Sequence, residues 1–208
     1  MGGRGSVSSL NSGTPYDQFK KSGVLIHEDD LKGLNMTLVN KTLKGMQDTL
    51  KEFGLPISTI HGIGIAMAKD ATASVNGFRD LNFGRKSYSQ KENEFKKRND
   101  IADSTAYGAG THEAGHAIVD YAMHKHNQGM SVLELSNLRR SRKFDREILK
   151  KAKKINGGHL NAISKYGSSS RGKASAELIA EGVSEYMRKK GKASASSKAI
   201  VKALKTYL

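Results

Sequence analysis

The chain contains no cysteine among its 208 residues, which excludes disulfides, a thiol nucleophile and any thiolate metal site. A metal, if there is one, must be held by histidine and carboxylate. No apolar run approaches the roughly 20 residues needed to cross a bilayer, so a soluble protein without a membrane partner is expected. The N-terminus, MGGRGSVSSLNSGTP, has no apolar stretch to act as the core of a secretory signal, and export would need another route or a removed leader. Gly2 and Ser6 fit the loose myristoylation pattern. The hydrophobic fraction is modest, 37%, and the length suits one substantial core better than two independent domains. Acids are scarce where bases are dense. The formal charge is +15, with nine Lys/Arg from Arg139 to Lys154 and seven from Arg188 to Lys205, the second run holding no acid. Such a surface attracts nucleic acid, anionic lipid or acidic protein, or serves solubility alone as solvated helix faces.

Residues 1–26 are Gly/Ser-rich and polar and read as a flexible tail, leaving 27–208 as a single domain. Leu31, Leu34, Leu38, Met46, Leu50 and Phe53 recur at helical spacing, which predicts one amphipathic helix over 31–53, begun by the acids of HEDD and ended near Gly54 and Pro56. The period then changes. Ile63, Ile65 and Met67 alternate with Gly64 and Ala66 as in a strand, and a second strand is expected within 78–88. Helix returns after Ser89: a polar stretch to Phe95, then 109–126, a stripe of Phe144, Ile148, Ala152 and Ile155, and helices at about 175–189 and 195–207. Gly157-Gly158 and the segment 167–173 read as breaks. The expected class is α+β, a small mixed sheet with a C-terminal helical part.

The chemistry is concentrated in one motif, His112-Glu113-Ala114-Gly115-His116. Histidines at i and i+4 lie about 40° apart around a helix, so both imidazoles can reach one ion. Glu113 stands beside the pair, where its carboxylate can take a proton from a metal-bound water. Chance would place HExxH in about one percent of shuffled chains of this composition, so the motif outweighs most short patterns. A catalytic zinc takes three protein ligands and an open position for water. No third histidine follows at metzincin spacing, and His124 sits about 12 Å beyond His116 along the helix. His159 is a possible ligand without an acidic neighbour. The segment SAELIAEGVSEY is the better source: Glu177, Glu181 and Glu185 lie beside Leu178, Ile179 and Val183, and an acid near an apolar face needs a partner such as a metal.

THEAGHAIVDY, then KYG, then AELIAEGVSEY resembles the lethal-factor-like metallopeptidases, which include the catalytic domain of anthrax lethal factor, the clostridial Pro-Pro endopeptidases and many phage-encoded head-associated domains. The likeness covers roughly residues 57–190, and the MGGRGS start is similar to leaders of small phage proteins of this kind. It implies a zincin-like catalytic domain in 27–208 that hydrolyses peptide bonds. His112, His116 and Glu177 would be zinc ligands, Glu113 the general base, Glu181 the group orienting a ligand imidazole, and Tyr166 the hydroxyl facing the oxyanion. Tyr166 stands eleven residues before Glu177 (177 − 166), more than the family pattern has, which brings in Tyr186 and Tyr107 as rivals. The resemblance also implies a polypeptide substrate paired as an extended strand on the sheet edge, here the segment from Leu81 to Tyr88. Two other classes are a phage virion-associated or nucleic-acid-binding structural protein on an inactive zincin scaffold, and a toxin delivered into another cell.

Overall fold

The computed structural model describes residues 13–67, 72–92, 95, 101–165, 167 and 174–208. Its elements in chain order are α1 Pro15–Lys21, β1 Leu25–Ile26, α2 Glu28–Leu31, α3 Met36–Glu52, β2 Gly62–Ile65, β3 Ala73–Val75, β4 Asp80–Phe83, α4 Arg85–Tyr88, α5 Ala106–His126, α6 Val132–Ser141, α7 Lys143–Ile155, α8 Ala174–Lys189 and α9 Ala195–Lys205. The class is α+β with a small mixed sheet, as the sequence predicts. No described helix is long and apolar enough to cross a membrane.

The sheet runs in the order β1-β2-β4-β3. β1 and β2 are parallel, as are β2 and β4, and β3 is antiparallel to β4. The strand expected to form the edge, within Leu81 to Tyr88, is therefore an interior strand. It ends at Phe83, and the chain turns into α4 after Gly84. β1 and β3 are the edges among the described residues, and β3 packs against α5.

Two further expectations change. The segment read as a tail is packed from Thr14 onward, where Thr14 and Asp17 form a capping box around Pro15. That local signature starts α1, and Phe19 is fully buried in the core. Residues 1–12, with the myristoylation pattern, lie outside the described residues. The single helix expected over 31–53 is divided: Gly33 takes a φ of +80°, and the Asn35 side chain accepts from the Thr37 amide at 3.0 Å to begin α3. A residue that readily adopts positive φ followed by a capping Asn outweighs the apolar period that runs through both.

One core cluster joins α1, α3, the sheet and helices α5 and α7 to α9. At its centre α5 lies between α3, α8 and β3. The crossing of α3 and α5 is unusually close. A Cβ at Gly45 would meet the Tyr107 carbonyl, and one at Gly110 would meet the Thr42 carbonyl. Thr42 also donates to the Ala106 carbonyl at 2.9 Å. The pair of glycines brings backbone against backbone, and this fixes where α5 presents its histidines.

Candidate metal centre

α5 begins at Thr105, whose hydroxyl accepts from the Gly108 amide at 2.9 Å, an N-cap that leaves His112 and His116 well inside a regular helix. One turn apart, their Nε2 atoms stand 3.2 Å from each other. The third group comes from α8. Gly115 lets that helix approach, since a Cβ there would lie 2.9 Å from the Ala180 Cα. Glu177 then places Oε2 3.2 Å from His112 Nε2 and 3.6 Å from His116 Nε2. These three residues form a group able to hold a metal ion, with their donor atoms within 4.8 Å of one another.

The group passes a simple test of fit. Three ligands of a tetrahedral zinc, each about 2.0–2.1 Å from the ion, stand about 3.3–3.4 Å apart. The observed edges bracket that spacing. Glu177 Oε2 is buried and makes no hydrogen bond; its approach to His112 is a proximity of charge without hydrogen-bond geometry. A buried carboxylate oxygen left in this way is costly unless a cation is supplied.

The other His112 nitrogen is engaged. Nδ1 lies 2.7 Å from Glu181 Oε1, and a carboxylate there is satisfied by an N–H on Nδ1, which leaves the Nε2 lone pair directed at the group. Glu181 is itself fixed, because its Oε2 accepts from the Ala102 amide at 2.5 Å and its side chain is fully enclosed. Electrostatics point the same way. Burial alone would push the His112 imidazole down, but Glu177, Glu181 and the nearby Glu113 carry it up to about 10. Burial would raise Glu177, yet the two histidines hold its carboxyl far below the usual range. With no metal the protein places a proton where the donors converge, so the site favours positive charge.

Glu113 is buried on α5 next to His112 and stands outside the three-residue group. Tyr166 lies outside the described residues. Its rivals point elsewhere: the Tyr107 hydroxyl donates to Asp48 at 3.2 Å and the Tyr186 hydroxyl to Glu52 at 3.3 Å. His159 is exposed and is not part of the group. Glu185 turns away to accept from the hydroxyls of Ser194 and Ser197 and from Lys189. His126 meets Tyr207 edge-on and Phe144 at a tilt, ring centroids 5.1 and 6.3 Å away.

Sequence reasoning missed the next turn of α5. Asp120, four residues past His116, is buried with Arg139 Nη2 of α6 3.0 Å from its Oδ2. Burial pushes its carboxyl up to about 6, against the pull of Arg139 and His116. The Arg139 guanidinium occupies the notch left by Gly77 in the β3–β4 turn, where a Cβ would collide with Nη1. Arg79 of the same turn reaches the Thr59 carbonyl at 3.0 Å and lies over the Tyr121 ring. Two arginines thus tie the edge hairpin to the histidine-bearing helix. The available signal was the repeated four-residue step His112, His116, Asp120. No protein-family model, curated protein or solved structure matches this chain.

Proposed function

We propose that the chain is a zinc-dependent endopeptidase of the zincin type, with His112, His116 and Glu177 holding the metal and Glu113 acting as general base. The observation that carries this reading is the convergence of three donor atoms at tetrahedral spacing, one on an imidazole already oriented by Glu181, beside a buried carboxylate that is not a ligand. Two nitrogens and one carboxylate oxygen form a donor set used by catalytic zinc. Zinc bound there would supply a Lewis acid and bring the pKa of its water to about 7.

The chain's own residues do the rest. Glu113 takes the proton from the attacking water and delivers it to the leaving amine nitrogen. Glu181 keeps the His112 proton on Nδ1 throughout, which preserves the ligand tautomer. The oxyanion role of Tyr166 rests on the resemblance to lethal-factor-like peptidases alone. For the substrate, β3 replaces the interior strand β4 as the pairing edge. It is a sheet edge packed against α5, and an extended peptide added to it would gain main-chain hydrogen bonds close to the site. An inactive scaffold, in a virion or elsewhere, would have no use for a buried acid placed beside the histidine pair.

The protein purified without chelator should carry about one zinc, as a single three-ligand site requires. It should cleave members of a mixed peptide library, read by mass spectrometry, and chelator should abolish the cleavage. Glu113→Gln should retain the metal while turnover drops about 10²–10⁴-fold. Absence of metal in the native protein would overturn the reading, as would a Glu113→Gln variant of undiminished turnover.

A further inference from the structure

The metal centre uses none of the surplus positive charge, and the structure separates the cations that are already paired from those that are not. Arg139 and Arg142 face the buried Asp120 and Asp145. Lys189 pairs with Glu185 at 2.8 Å, and Lys190 and Lys205 share Glu52 at 3.0 and 2.9 Å. Three of the seven bases in the second run are thus partnered within the protein.

α7 is different. Phe144, Ile148 and Ala152 are its core stripe. At about 100° per residue, Lys143, Arg146, Lys150, Lys153 and Lys154 all fall within about 60° of the opposite direction. All five are exposed, and none pairs with an acid among the described residues. Of the two acids on this helix, Asp145 is buried and Glu147 lies on the flank of the row. The row spans about 16 Å at 1.5 Å per residue. α9 packs beside α7, and its Lys198 and Lys202 are exposed.

The composition of this face selects among polyanions. It carries no aromatic ring on which an unpaired base could stack. It carries no apolar side chain to insert below lipid headgroups. Four of its five cations are lysines, point charges that follow a phosphate backbone without the bidentate geometry that reads a base edge or matches a particular carboxylate. Duplex DNA presents one negative charge per about 1.7 Å of axis, so a straight cationic row finds partners in any register. We propose that the outer face of α7, flanked by Lys198 and Lys202, docks on duplex DNA through its phosphates without reading sequence. The inference stands apart from the peptidase reading, since it shares no residue with the metal centre.

The test is anisotropy of a labelled duplex of about 30 bp titrated with the protein from about 50 to 300 mM salt. Engagement of five to seven phosphates gives a log–log slope of about −4.5 to −6. The combined variant Lys150→Gln, Lys153→Gln, Lys154→Gln should lower the magnitude of that slope by about 2.7, with circular dichroism and zinc content unchanged. Lys190→Gln, which removes a cation already paired with Glu52, and Glu113→Gln should bind like the parent. Two unrelated duplex sequences should bind equally. The proposal is overturned by no binding at the lowest salt, by an unchanged slope in the triple variant, or by an equal loss in Lys190→Gln. Displacement of the duplex by polyglutamate or by phosphatidylserine vesicles at equal charge would also overturn it, by assigning the face to acidic protein or lipid.

Discussion

At the scale of single residues, the candidate centre depends on what each His112 nitrogen faces. Nε2 is turned to the donors and Nδ1 to Glu181. Glu181→Gln should therefore weaken zinc binding about tenfold, and Glu181→Ala towards 100-fold, the range typical of groups that orient metal-bound imidazoles. A competition titration against a chromophoric chelator measures this, and unchanged affinity in both variants would remove Glu181 from the site. The two histidines and Glu113 were legible in the sequence because one helical turn sets their relation. The acids of α8 were harder to separate. A four-residue step drifts about 40° around the axis, so Glu185 is rotated about 80° from Glu177, enough to face Ser194 and Ser197 instead of the histidines. Periodicity places all three near the apolar side; only the neighbouring helices decide which one meets α5.

At the scale of elements, the long periodic helices α3, α5, α7, α8 and α9 were legible and the short ones were not. α1 and α6 depend on capping boxes, Thr14 with Asp17 and Ser131 with Glu134, and α6 buries no residue of its own, so no apolar stripe announces it. The sheet order was out of reach for a different reason: strands of two to four residues carry too little pattern to state which neighbour each one pairs with. The α3–α5 crossing also left little trace, because its signal is the absence of side chains at Gly45 and Gly110. Gly110→Ala must push a methyl group into the Thr42 carbonyl. The change should cost about 1–3 kcal/mol through overpacking, even though alanine is the better helix former. Chemical denaturation of parent and variant gives the comparison, and a stabilised Gly110→Ala protein would contradict the close approach.

At the scale of the whole molecule, the donor group joins α5 to α8 across a long stretch of chain, so a metal bound there would be coupled to global stability. Without metal the cation at this junction is a proton on His112. Its folded value, about 10, lies above the ordinary 6.5 or so. A raised value stabilises the fold fully below the ordinary pKa, and the contribution is lost as pH rises through the folded one. Chelator-treated protein should therefore lose thermal stability between about pH 6.5 and 10. A zinc-loaded form would have no such proton to lose, and its advantage in Tm should widen over the same interval. Parallel curves for the two forms would mean that His112 does not hold the charge at this junction. The hairpin that closes the far side of α5 carries a consequence of another kind. Arg139 fits because position 77 has no side chain, and Asp120 is compensated because Arg139 fits. Over descent the three positions are linked through the arginine: a side chain gained at 77 would displace the flexible end of Arg139, and a replacement that shortened 139 would leave Asp120 buried without its cation.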